Sequence, residues 1–452
     1  MKIAIFTDTF YPEINGVVTF VLNLAEHLKG CNFYVFAPEY PDEMYGKKVK
    51  NFDFGSNVKV FRYKSIKLIS NPSTRIVVAS YEELEKNFEE IMPDIIHVQS
   101  FGIIGMYGLK VSKKYKIPAM ATYHTYFPDF ITYISPVRLL KLDYIFGTLI
   151  FKNIKLSFID LYEKNKNNFF GKILDYFYLI SELIYSQFKL VSHLTSKTWE
   201  AFLKSFTWYV TKSFYNEFDI ITAPSQYMVK VLQDHGVYKP CIFISNGIEL
   251  DKFTFTQRTI KNQEEIRLLH VGRLGFEKNI DILVKMMKFL NLQKKYRFHL
   301  DIVGDGPAKA SLEKLAQEMK IKNITFHGMK LREELPEYYK KAHIFVTAST
   351  IETQGIVVLE AMATGLPVVG ANKLALQDLI IDHYNGLKAK PFDPRDFAMK
   401  VISLVEKEDI EELSKNARKT VMEHDINTVM ERFKQLYHDV YRIHQLYQKY
   451  IV

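Results

Sequence analysis

Short runs of β-branched and aromatic residues alternate with longer stretches of helical periodicity through most of the chain. This alternation is typical of βα units and predicts parallel sheets. In the first half, the predicted strands are Lys2–Phe6, Phe33–Ala37, Ile95–Val98, Ala119–Tyr123, Ile220–Ala223 and Cys241–Ser245. A helix is predicted after the first strand, at about Val17–Lys29. In the second half, the predicted strands are Ile266–Val271, Phe298–Val303, Ile324–Phe326, Ile344–Thr347 and Val368–Val369. Because the pattern restarts near residue 266, we expect two sheets.

A polar stretch without periodicity, from Asp251 to Glu265, lies between the two halves and is typical of a linker. We therefore expect an α/β protein with Rossmann-like, doubly wound domains over residues 1–250 and 251–425. A helix is predicted over residues 426–452, which carry apolar side chains at helical spacing. These side chains are Phe433, Leu436, Val440, Ile443 and Tyr447.

Residues about 140–210 break the alternation and predict a helical, aromatic-rich insertion in the first domain. Residues 140–215 contain nineteen aromatics in seventy-six positions, against 14% aromatics in the whole chain. From Arg138 to Lys212, eleven Lys or Arg residues face six Asp or Glu residues. This composition leaves two interpretations open. The insertion packs on the core or on a second subunit, or it lies on an anionic membrane surface.

The composition of the 452 residues is globular, with 48% hydrophobic and 25% charged residues, and this excludes a disordered protein. The net charge of +9 favours anionic partners such as nucleotides, nucleic acid or lipid headgroups. Two cysteines without a C-x-x-C motif argue against a disulfide framework or a cysteine zinc site, and favour a reducing cytosol. The apolar run before Asp8 is too short for a signal peptide, and every stretch of eighteen residues carries charge. We expect a protein that lies on a membrane without crossing it.

The densest group of candidate functional residues follows the strand predicted at Ile344–Thr347. The segment Ser-Thr-Ile-Glu-Thr-Gln-Gly-Ile-Val-Val-Leu-Glu carries Glu352, Gly355 and Glu360. A helix that begins at the glycine offers backbone N–H groups and a positive dipole end to a phosphate. The two carboxylates can accept hydrogen bonds from sugar and ribose hydroxyls on either side of that phosphate. The alternative is that Glu352 caps the helix and Glu360 is a solvated side chain.

A second group follows the first strand of the second half, in the segment Gly272-Arg-Leu-Gly-Phe-Glu-Lys278. Arg273 and Lys278, placed across a cleft, can neutralise a diphosphate and stabilise it as a leaving group. Two cations near a helix start are also common without any such role.

The first half contributes two weaker candidates. Gly16 stands near the start of a helix, where a glycine lets the backbone approach a phosphate or a sugar. His124 ends a predicted strand and could donate a hydrogen bond to a sugar hydroxyl or assist proton transfer. The alternative for His124 is a structural role.

Several motifs are absent. No two aspartates lie two positions apart, so the Asp-x-Asp pair that holds a divalent ion against a sugar-nucleotide is missing, and we expect no metal. The chain also lacks G-x-G-x-x-G, G-x-x-x-x-G-K-[ST] and H-E-x-x-H, which argues against a nicotinamide enzyme, a P-loop ATPase and a zincin.

Taken together, the motifs resemble those of retaining glycosyltransferases of the GT-B fold, family 4, in their family order over residues 1–130 and 215–425. The segments that carry the resemblance are Ser245-Asn-Gly-Ile, Gly272 to Lys278, Gly304-Asp-Gly-Pro, Glu352-x7-Glu360 and Gly365-Leu-Pro-Val-Val. The segment Thr-Tyr-His-Thr-Tyr around His124 and the Glu-Thr-Gln-Gly turn resemble bacterial diacylglycerol glucosyltransferases more closely still.

The resemblance implies a role for each candidate. Arg273, Lys278 and Gly16 contact the donor diphosphate, Glu352 holds hydroxyls of the donor sugar, and Glu360 binds the ribose. The residues implied to bind the donor are Gly16, Arg273, Lys278, Glu352, Gly355, Ile356, Val357 and Glu360. The residues implied to be catalytic are His124, Arg273, Lys278 and Glu352.

The resemblance also implies the reaction: transfer of a hexose, from UDP-glucose, to a membrane lipid hydroxyl such as that of diacylglycerol, with retention and without a metal or other cofactor. The expected location is the cytoplasm, at the inner face of the plasma membrane, with no nucleic-acid partner. One alternative is a mannosyl- or glucosyltransferase that acts on a phosphoinositol, polyprenyl or polysaccharide acceptor. A lesser alternative is a non-catalytic membrane-binding protein of the same fold. The oligomeric state stays open.

Overall fold

The computed structural model describes residues 1–13, 15–44, 47–49, 52–68, 71–126, 196–260 and 265–451. The chain forms two compact units, of which the larger comprises residues 1–66, 75–126 and 212–452 and the smaller comprises residues 67–74 and 127–211. The predicted insertion at about 140–210 lies outside the described residues up to residue 195. From residue 196 onward it is helical. The elements described below that position the candidate site belong to the larger unit.

The first half of the chain builds a seven-stranded sheet whose strand pairs are all parallel, in the order β11-β10-β9-β8-β1-β2-β5. Its strands are β1 Lys2–Phe6, β2 Asn32–Pro38, β5 Val58–Tyr63, β8 Ile95–Val98, β9 Ala119–Thr122, β10 Ile220–Ala223 and β11 Cys241–Phe243. Two separate two-stranded sheets are formed by β3 Glu43–Met44 with β4 Lys47–Lys48 and by β6 Ser65–Leu68 with β7 Asn71–Val77. The helices are α1 Gly16–His27, α2 Tyr81–Ile91, α3 Ile103–Tyr115, α4 Ser196–Tyr215 and α5 Gln226–Asp234.

The second half builds a six-stranded parallel sheet in the order β14-β13-β12-β15-β16-β17. The strands are β12 Glu265–Val271, β13 Arg297–Val303, β14 Ile324–Gly328, β15 Ile344–Thr347, β16 Val368–Ala371 and β17 Gly386–Ala389. The helices are α6 Ile280–Leu290, α7 Lys309–Glu318, α8 Leu335–Lys341, α9 Ile356–Ala363, α10 Leu376–Leu379, α11 Pro394–Lys407, α12 Ile410–Val421 and α13 Ile426–Ile451. Single 3₁₀ turns lie at Phe276–Lys278, Arg332–Glu334 and Met422–His424.

The central strands are buried on both faces, as parallel strands covered by helices are. Four of the five residues of β1 and all four residues of β8, β9 and β15 are buried. This explains why these strands appear in the sequence as continuous apolar runs without alternation. The fold class predicted from the sequence, two Rossmann-like parallel sheets, is confirmed.

The strands of the two small sheets were not predicted, and neither were two strands of the large parallel sheets, both of which lie at an edge. The strand β5, with the sequence Val-Lys-Val-Phe-Arg-Tyr, mixes polar and apolar residues and is only half-buried over most of its length. The strand β17 has the sequence Gly-Leu-Lys-Ala, which lacks β-branched and aromatic residues. Pairing with β2 and β16 therefore decides these strands, rather than their own propensity.

The last helix, α13, joins the core of the first sheet over its first half. Its buried apolar side chains pack with β1, β2 and α1, and they are Ile426, Val429, Met430, Phe433, Leu436, Tyr437 and Val440. Beyond Val440 the predicted apolar face is not buried, because Ile443 is 61% and Tyr447 is 63% exposed. Across the described part of the chain, no helix has both the length and the apolar character that a membrane span requires.

Candidate active site

The candidate residues lie where the strand order of each sheet reverses. In the second sheet the reversal falls between β12 and β15, and in the first sheet between β8 and β1. Parallel α/β sheets bind ligands in the crevice at the carboxyl ends of such strands. Lys278 follows β12, Glu352 follows β15, and Gly16 follows β1. The topology therefore places these three candidates at the two crevices.

Lys278 and Glu352 form the central contact of the second-sheet crevice. The Lys278 Nζ atom donates to Glu352 Oε1 over 2.6 Å. Their side chains are 23% and 16% exposed, so water screens the pair only weakly. Burial alone raises the pKa of Glu352, but the charge and hydrogen bond of Lys278, with smaller effects of Ser349 and His270, together hold that pKa below its ordinary value. The carboxylate is therefore ionised at neutral pH and can accept hydrogen bonds from hydroxyls.

A tight turn presents Lys278 to this pair. Asn279 adopts the left-handed conformation, with φ of 52°, between the 3₁₀ turn and α6. Its side-chain amide donates to Thr350 Oγ1 over 3.1 Å. The turn after β12 is thus fixed to the loop after β15, and the two loops carry the cation and the carboxylate as one unit.

Glycines let the loops after β12 and β13 approach each other closely. Gly272 and Gly304 both have positive φ, of 154° and 142°. A Cβ atom at Gly304 would lie 1.9 Å from the Gly272 carbonyl oxygen, so no other residue fits without moving the backbone. Both glycines are therefore needed for the close approach of the loops after β12 and β13.

Glu360 lies buried inside α9, with 4% of the residue exposed. The Tyr339 hydroxyl donates to Glu360 Oε2 over 2.9 Å. Burial raises the pKa of Glu360 to about 7, although the Arg332 guanidinium and the Tyr339 hydroxyl act to lower it. The interpretation of Glu360 as a solvated side chain is wrong.

The helix α9 begins where the sequence predicted. Gly355 occupies the N-cap with φ of 85°, and no side chain caps the helix, so the interpretation of Glu352 as its cap is wrong. Ile356 and Val357 form the first turn and are half-buried. Backbone N–H groups in a first helical turn lack partners within the helix and can bind an anion. The predicted donor-binding backbone lies directly beside Glu352.

Arg273 forms an ion pair with Glu277. Its side chain is 46% exposed, whereas that of Glu277 is 8% exposed. The structure thus brings Lys278 and Glu352 together but pairs Arg273 with a different carboxylate. To bind a diphosphate, the guanidinium has to exchange Glu277 for the phosphate or bind both.

His124 and Gly16 bring the first sheet to the second. The Thr353 hydroxyl donates to the His124 carbonyl oxygen over 2.8 Å. A Cβ atom at Gly16 would lie 3.4 Å from Ile356 Cδ1, so the glycine leaves the two helix starts in close contact. The candidates of both sheets therefore lie at one cleft.

The His124 ring is held by neutral partners. Its Nε2 atom lies 2.8 Å from Gln99 Oε1, and its ring packs at 5.0 Å from the Phe20 ring. Burial lowers the pKa of His124 to about 3. The imidazole is therefore uncharged at neutral pH, and it can exchange hydrogen bonds with a hydroxyl but carries no charge to a phosphate.

Among the described residues, one group brings three possible metal-ligand atoms within 4.8 Å of one another: Glu26, His27 and Glu249. The Glu249 carboxylate already pairs with Lys252 over 2.6 Å and with Arg332 over 3.3 Å. These cations compete with a metal ion for the carboxylate, and the group fits a salt-bridge cluster better than a metal site.

Sequence reasoning missed three partners of the candidates. Gln99 and Tyr339 carry no local motif, and only packing brings them to His124 and Glu360. Gln354 lies inside the Glu-Thr-Gln-Gly turn, but its side chain points to the segment after β11, where it donates to Ser245 Oγ over 2.6 Å. Its position in that turn was the one feature of the sequence that could have identified Gln354.

Two families match most of the chain in succession. Residues 14–156 match Glycosyltransferase Family 4, and residues 251–420 match Glycosyl transferases group 1. The second match begins at residue 251, where the predicted linker begins, and residues 157–250 lie outside both matches.

The chain is similar to two characterised enzymes over most of its length. It is 26% identical to an alpha-monoglucosyldiacylglycerol synthase of Streptococcus pneumoniae over 85% of this chain and 74% of that one. It is 28% identical to an alpha-monoglucosyldiacylglycerol synthase of Acholeplasma laidlawii over 86% of this chain and 84% of that one. Among solved structures, it resembles the sucrose-phosphate synthase of Thermosynechococcus elongatus with a TM-score of 0.66, 18% identity and coverage of 98% and 99% of the two chains.

Proposed function

This chain belongs to the GT-B glycosyltransferases of family 4 and group 1, and on that premise we propose that it transfers glucose from UDP-glucose to a membrane lipid hydroxyl such as that of diacylglycerol. The observation that carries the proposal is the Lys278–Glu352 pair at the strand reversal of the second sheet. An ammonium for the diphosphate and an ionised carboxylate for sugar hydroxyls lie in direct contact there. The named activity of the two relatives supports glucose as the sugar and diacylglycerol as the acceptor.

In the proposed reaction, the bound donor separates the ion pair between Lys278 and Glu352, and each of the two side chains then binds a group of the donor. Lys278 turns from Glu352 to the diphosphate, and Glu352 accepts hydrogen bonds from the glucose hydroxyls. The first-turn N–H groups of α9 meet the phosphate or sugar, and Glu360 accepts the ribose hydroxyls. Arg273 adds its charge to the diphosphate.

The chemical step that we propose retains the anomeric configuration. The bond from the anomeric carbon to the phosphate oxygen breaks, and the acceptor oxygen bonds to that carbon on the same face. The proton of the acceptor hydroxyl passes to the leaving phosphate oxygen, so that UDP and the glucoside are the products. No protein nucleophile is needed, and the cations stabilise the charge that develops on the leaving group. We propose that this charge stabilisation needs no metal ion.

We also propose that the protein binds the inner face of the plasma membrane peripherally. The net charge of +9 and the aromatic, basic composition of residues 140–215 support this location. Deletion of residues about 145–205 is expected to lower binding to anionic vesicles while UDP binding stays within about twofold. Unchanged vesicle binding would support the packing interpretation of this segment.

The function is tested with UDP-[¹⁴C]glucose and vesicles that contain diacylglycerol and an anionic phospholipid. We expect radiolabelled lipid, an α-linkage by nuclear magnetic resonance, and the same rate in the presence of EDTA. GDP-mannose with polyprenyl phosphate or phosphatidylinositol serves as the comparison reaction. Transfer in the comparison reaction but not to diacylglycerol would reject the proposed donor and acceptor while leaving the family assignment intact.

A further inference from the structure

The loop that carries Glu352 is bound to two other parts of the molecule by the two residues that follow it. Thr353 donates its hydroxyl proton to the His124 carbonyl oxygen over 2.8 Å. Gln354 donates to Ser245 Oγ over 2.6 Å and accepts from the Asn246 backbone N–H over 3.2 Å. Thr353 thus reaches the segment after β9, and Gln354 reaches the segment after β11.

The Ser245 hydroxyl makes three hydrogen bonds, which fill its one donor and two acceptor positions. Its Oγ atom accepts from Gln354 Nε2 and from the Gly247 backbone N–H, the latter over 3.1 Å. It lies 2.9 Å from His424 Nδ1. A hydroxyl has one donor and two acceptor positions, so the third contact has Ser245 as donor and His424 as acceptor. Burial lowers the pKa of His424 to about 4, which agrees with a neutral ring that accepts this proton.

The segments that meet at Ser245 are the two places where the chain passes between the sheets. Residues 244–250 lead from β11 toward the second sheet, and residues 422–426 lead from α12 into α13, which packs on the first sheet. Backbone hydrogen bonds of 2.9 Å join the two passages, from Ile248 N–H to His424 O and from Ile426 N–H to Ile248 O. The Gln354 side chain therefore holds the donor-site loop to the connection between the sheets.

The burial of these groups makes the contacts energetically important. The exposed fraction is 0% for Ser245, 4% for Gln354 and 6% for His424. Removing one partner of a buried hydrogen bond leaves the other unsatisfied, which costs more than an exposed contact does. The loop therefore keeps this position relative to the first sheet only while the contacts are intact.

We propose that Thr353 and Gln354 are positioning residues, which we call the latch, and that they hold the Glu352 loop against the first sheet so that the donor sugar meets the acceptor. The inference rests on the proposed function, because it names how one of its groups is held in place. Arg273, Lys278 and Glu360 all belong to the second half of the chain, and their side chains bond to Glu277, Glu352 and Tyr339 rather than to Thr353 or Gln354. The latch thus governs turnover more than nucleotide affinity.

The main test compares Thr353→Val with Thr353→Ser. Valine has nearly the same shape as threonine but has no hydroxyl, whereas serine keeps the hydroxyl. We expect Thr353→Val to lower kcat about tenfold, as the loss of one well-placed hydrogen bond does. The KM for UDP-glucose and the Kd for UDP should stay within about threefold, and Thr353→Ser should restore most of the lost turnover.

Gln354→Leu tests the second arm of the latch, with Gln257→Leu as its matched control. The Gln257 side chain donates to Glu411 over 2.7 Å on an exposed surface, away from the latch. Ser245→Ala and Gln354→Leu both remove the contact between these two side chains, so the double variant should lose less turnover than the sum of the two single losses. Fully additive losses, or equal losses of kcat and UDP affinity, would overturn the proposal.

Hydrogen–deuterium exchange separates the latch from the proposed function. Peptides that cover residues 349–357 should exchange faster in Thr353→Val and Gln354→Leu than in the unmodified protein, whatever the acceptor is. Faster exchange without any lipid glucosylation would support the latch and reject the proposed function. Unchanged exchange together with unchanged turnover would reject the latch and leave the proposed function standing.

Discussion

The two sheets present opposite chemistry to the cleft between them. The second sheet offers charged groups: Lys278 and Glu352 in direct contact, with Glu360 buried behind them. At the first sheet, the candidate side chain is neutral, since His124 is uncharged and its ring lies 2.8 Å from the Gln99 amide oxygen. A charged face suits a nucleotide diphosphate, whereas a neutral face suits an acceptor hydroxyl that loses its proton to the leaving group. The contrast fits the proposed reaction, in which the second sheet stabilises charge and the first sheet positions the acceptor.

The largest expected effect comes from removing charge from the second sheet. Lys278→Ala should lower kcat by about 10²–10³, the range seen when a key charge-stabilising group is lost. The change also leaves Glu352 without its ammonium, so the pKa of that carboxyl should rise. Steady-state rates with UDP-glucose and lipid vesicles measure the effect. Lys285→Ala is the control, because it breaks an exposed ion pair of similar length, 2.7 Å, with Asp281. A rate for Lys278→Ala equal to that of the control would remove the second sheet from charge stabilisation.

The second effect concerns the pH dependence of donor binding. Burial raises the pKa of Glu360 to about 7 in the ligand-free protein. If the ionised carboxylate accepts the ribose hydroxyls, UDP affinity is highest above pH 7 and falls as the pH drops through 7, approaching about tenfold per unit at lower pH. Calorimetric titration with UDP from pH 5.5 to 8.5 measures this slope. Glu360→Gln should bind UDP more weakly at pH 8 and lose the slope, and a flat profile for the unmodified protein would contradict the assignment.

The same carboxyl has an opposite effect on stability. A folded-state pKa above the ordinary value of 4.5 means that the folded protein binds a proton more tightly than the unfolded chain does. The contribution of Glu360 to stability is therefore fully present below about pH 4.5 and is lost as the pH rises through 7. Glu360→Gln should raise the Tm of the ligand-free protein at pH 8 more than at pH 5, which gives a control that is independent of activity.

A smaller effect is expected on the first sheet, where pH should matter little. Burial holds the pKa of His124 at about 3, so its ring does not titrate between pH 5.5 and 8.5. Gln99→Glu places a carboxyl at the position 2.8 Å from His124 Nε2 and should raise that pKa toward neutrality. We expect kcat to become pH-dependent in this variant, with Gln99→Leu as the uncharged control. A new pH dependence in both variants would point to a packing effect instead.

The smallest effect tests the partner of Glu360. Tyr339→Phe removes the hydroxyl that donates to Glu360 Oε2 over 2.9 Å. Loss of this hydrogen bond to the charged form should raise the pKa of Glu360 further and move the midpoint of UDP binding upward by up to about one pH unit. The UDP affinity of Tyr339→Phe should differ from that of the unmodified protein by less at pH 8.5 than at pH 7. A midpoint that does not move would show that the hydroxyl has little effect on the carboxylate.

Local sequence predicted the strands that lead into the site, because fully buried parallel strands appear as short apolar runs. It also predicted the glycines and charged residues that follow those strands, since loop shape and helix starts depend on neighbouring residues. Lys278 and Glu352 are separated by 74 positions, and before the structure only the family resemblance placed them at one site. In the fold they meet because the parallel strands β12 and β15 end at the same edge of the sheet. The edge strands β5 and β17 escaped prediction, because their pairing depends on neighbours distant in the chain.

The sequence by itself determined two parallel sheets, the loops at their carboxyl ends and the ionisable groups those loops carry. Only the tertiary structure decided which neutral groups meet them. The contact between Thr353 and His124 joins residues 229 positions apart, and that between Gln354 and Ser245 joins residues 109 apart. A hydrogen bond needs its two atoms within about 3 Å, and apolar periodicity does not encode position that finely. The packing of one sheet against the other sets those distances.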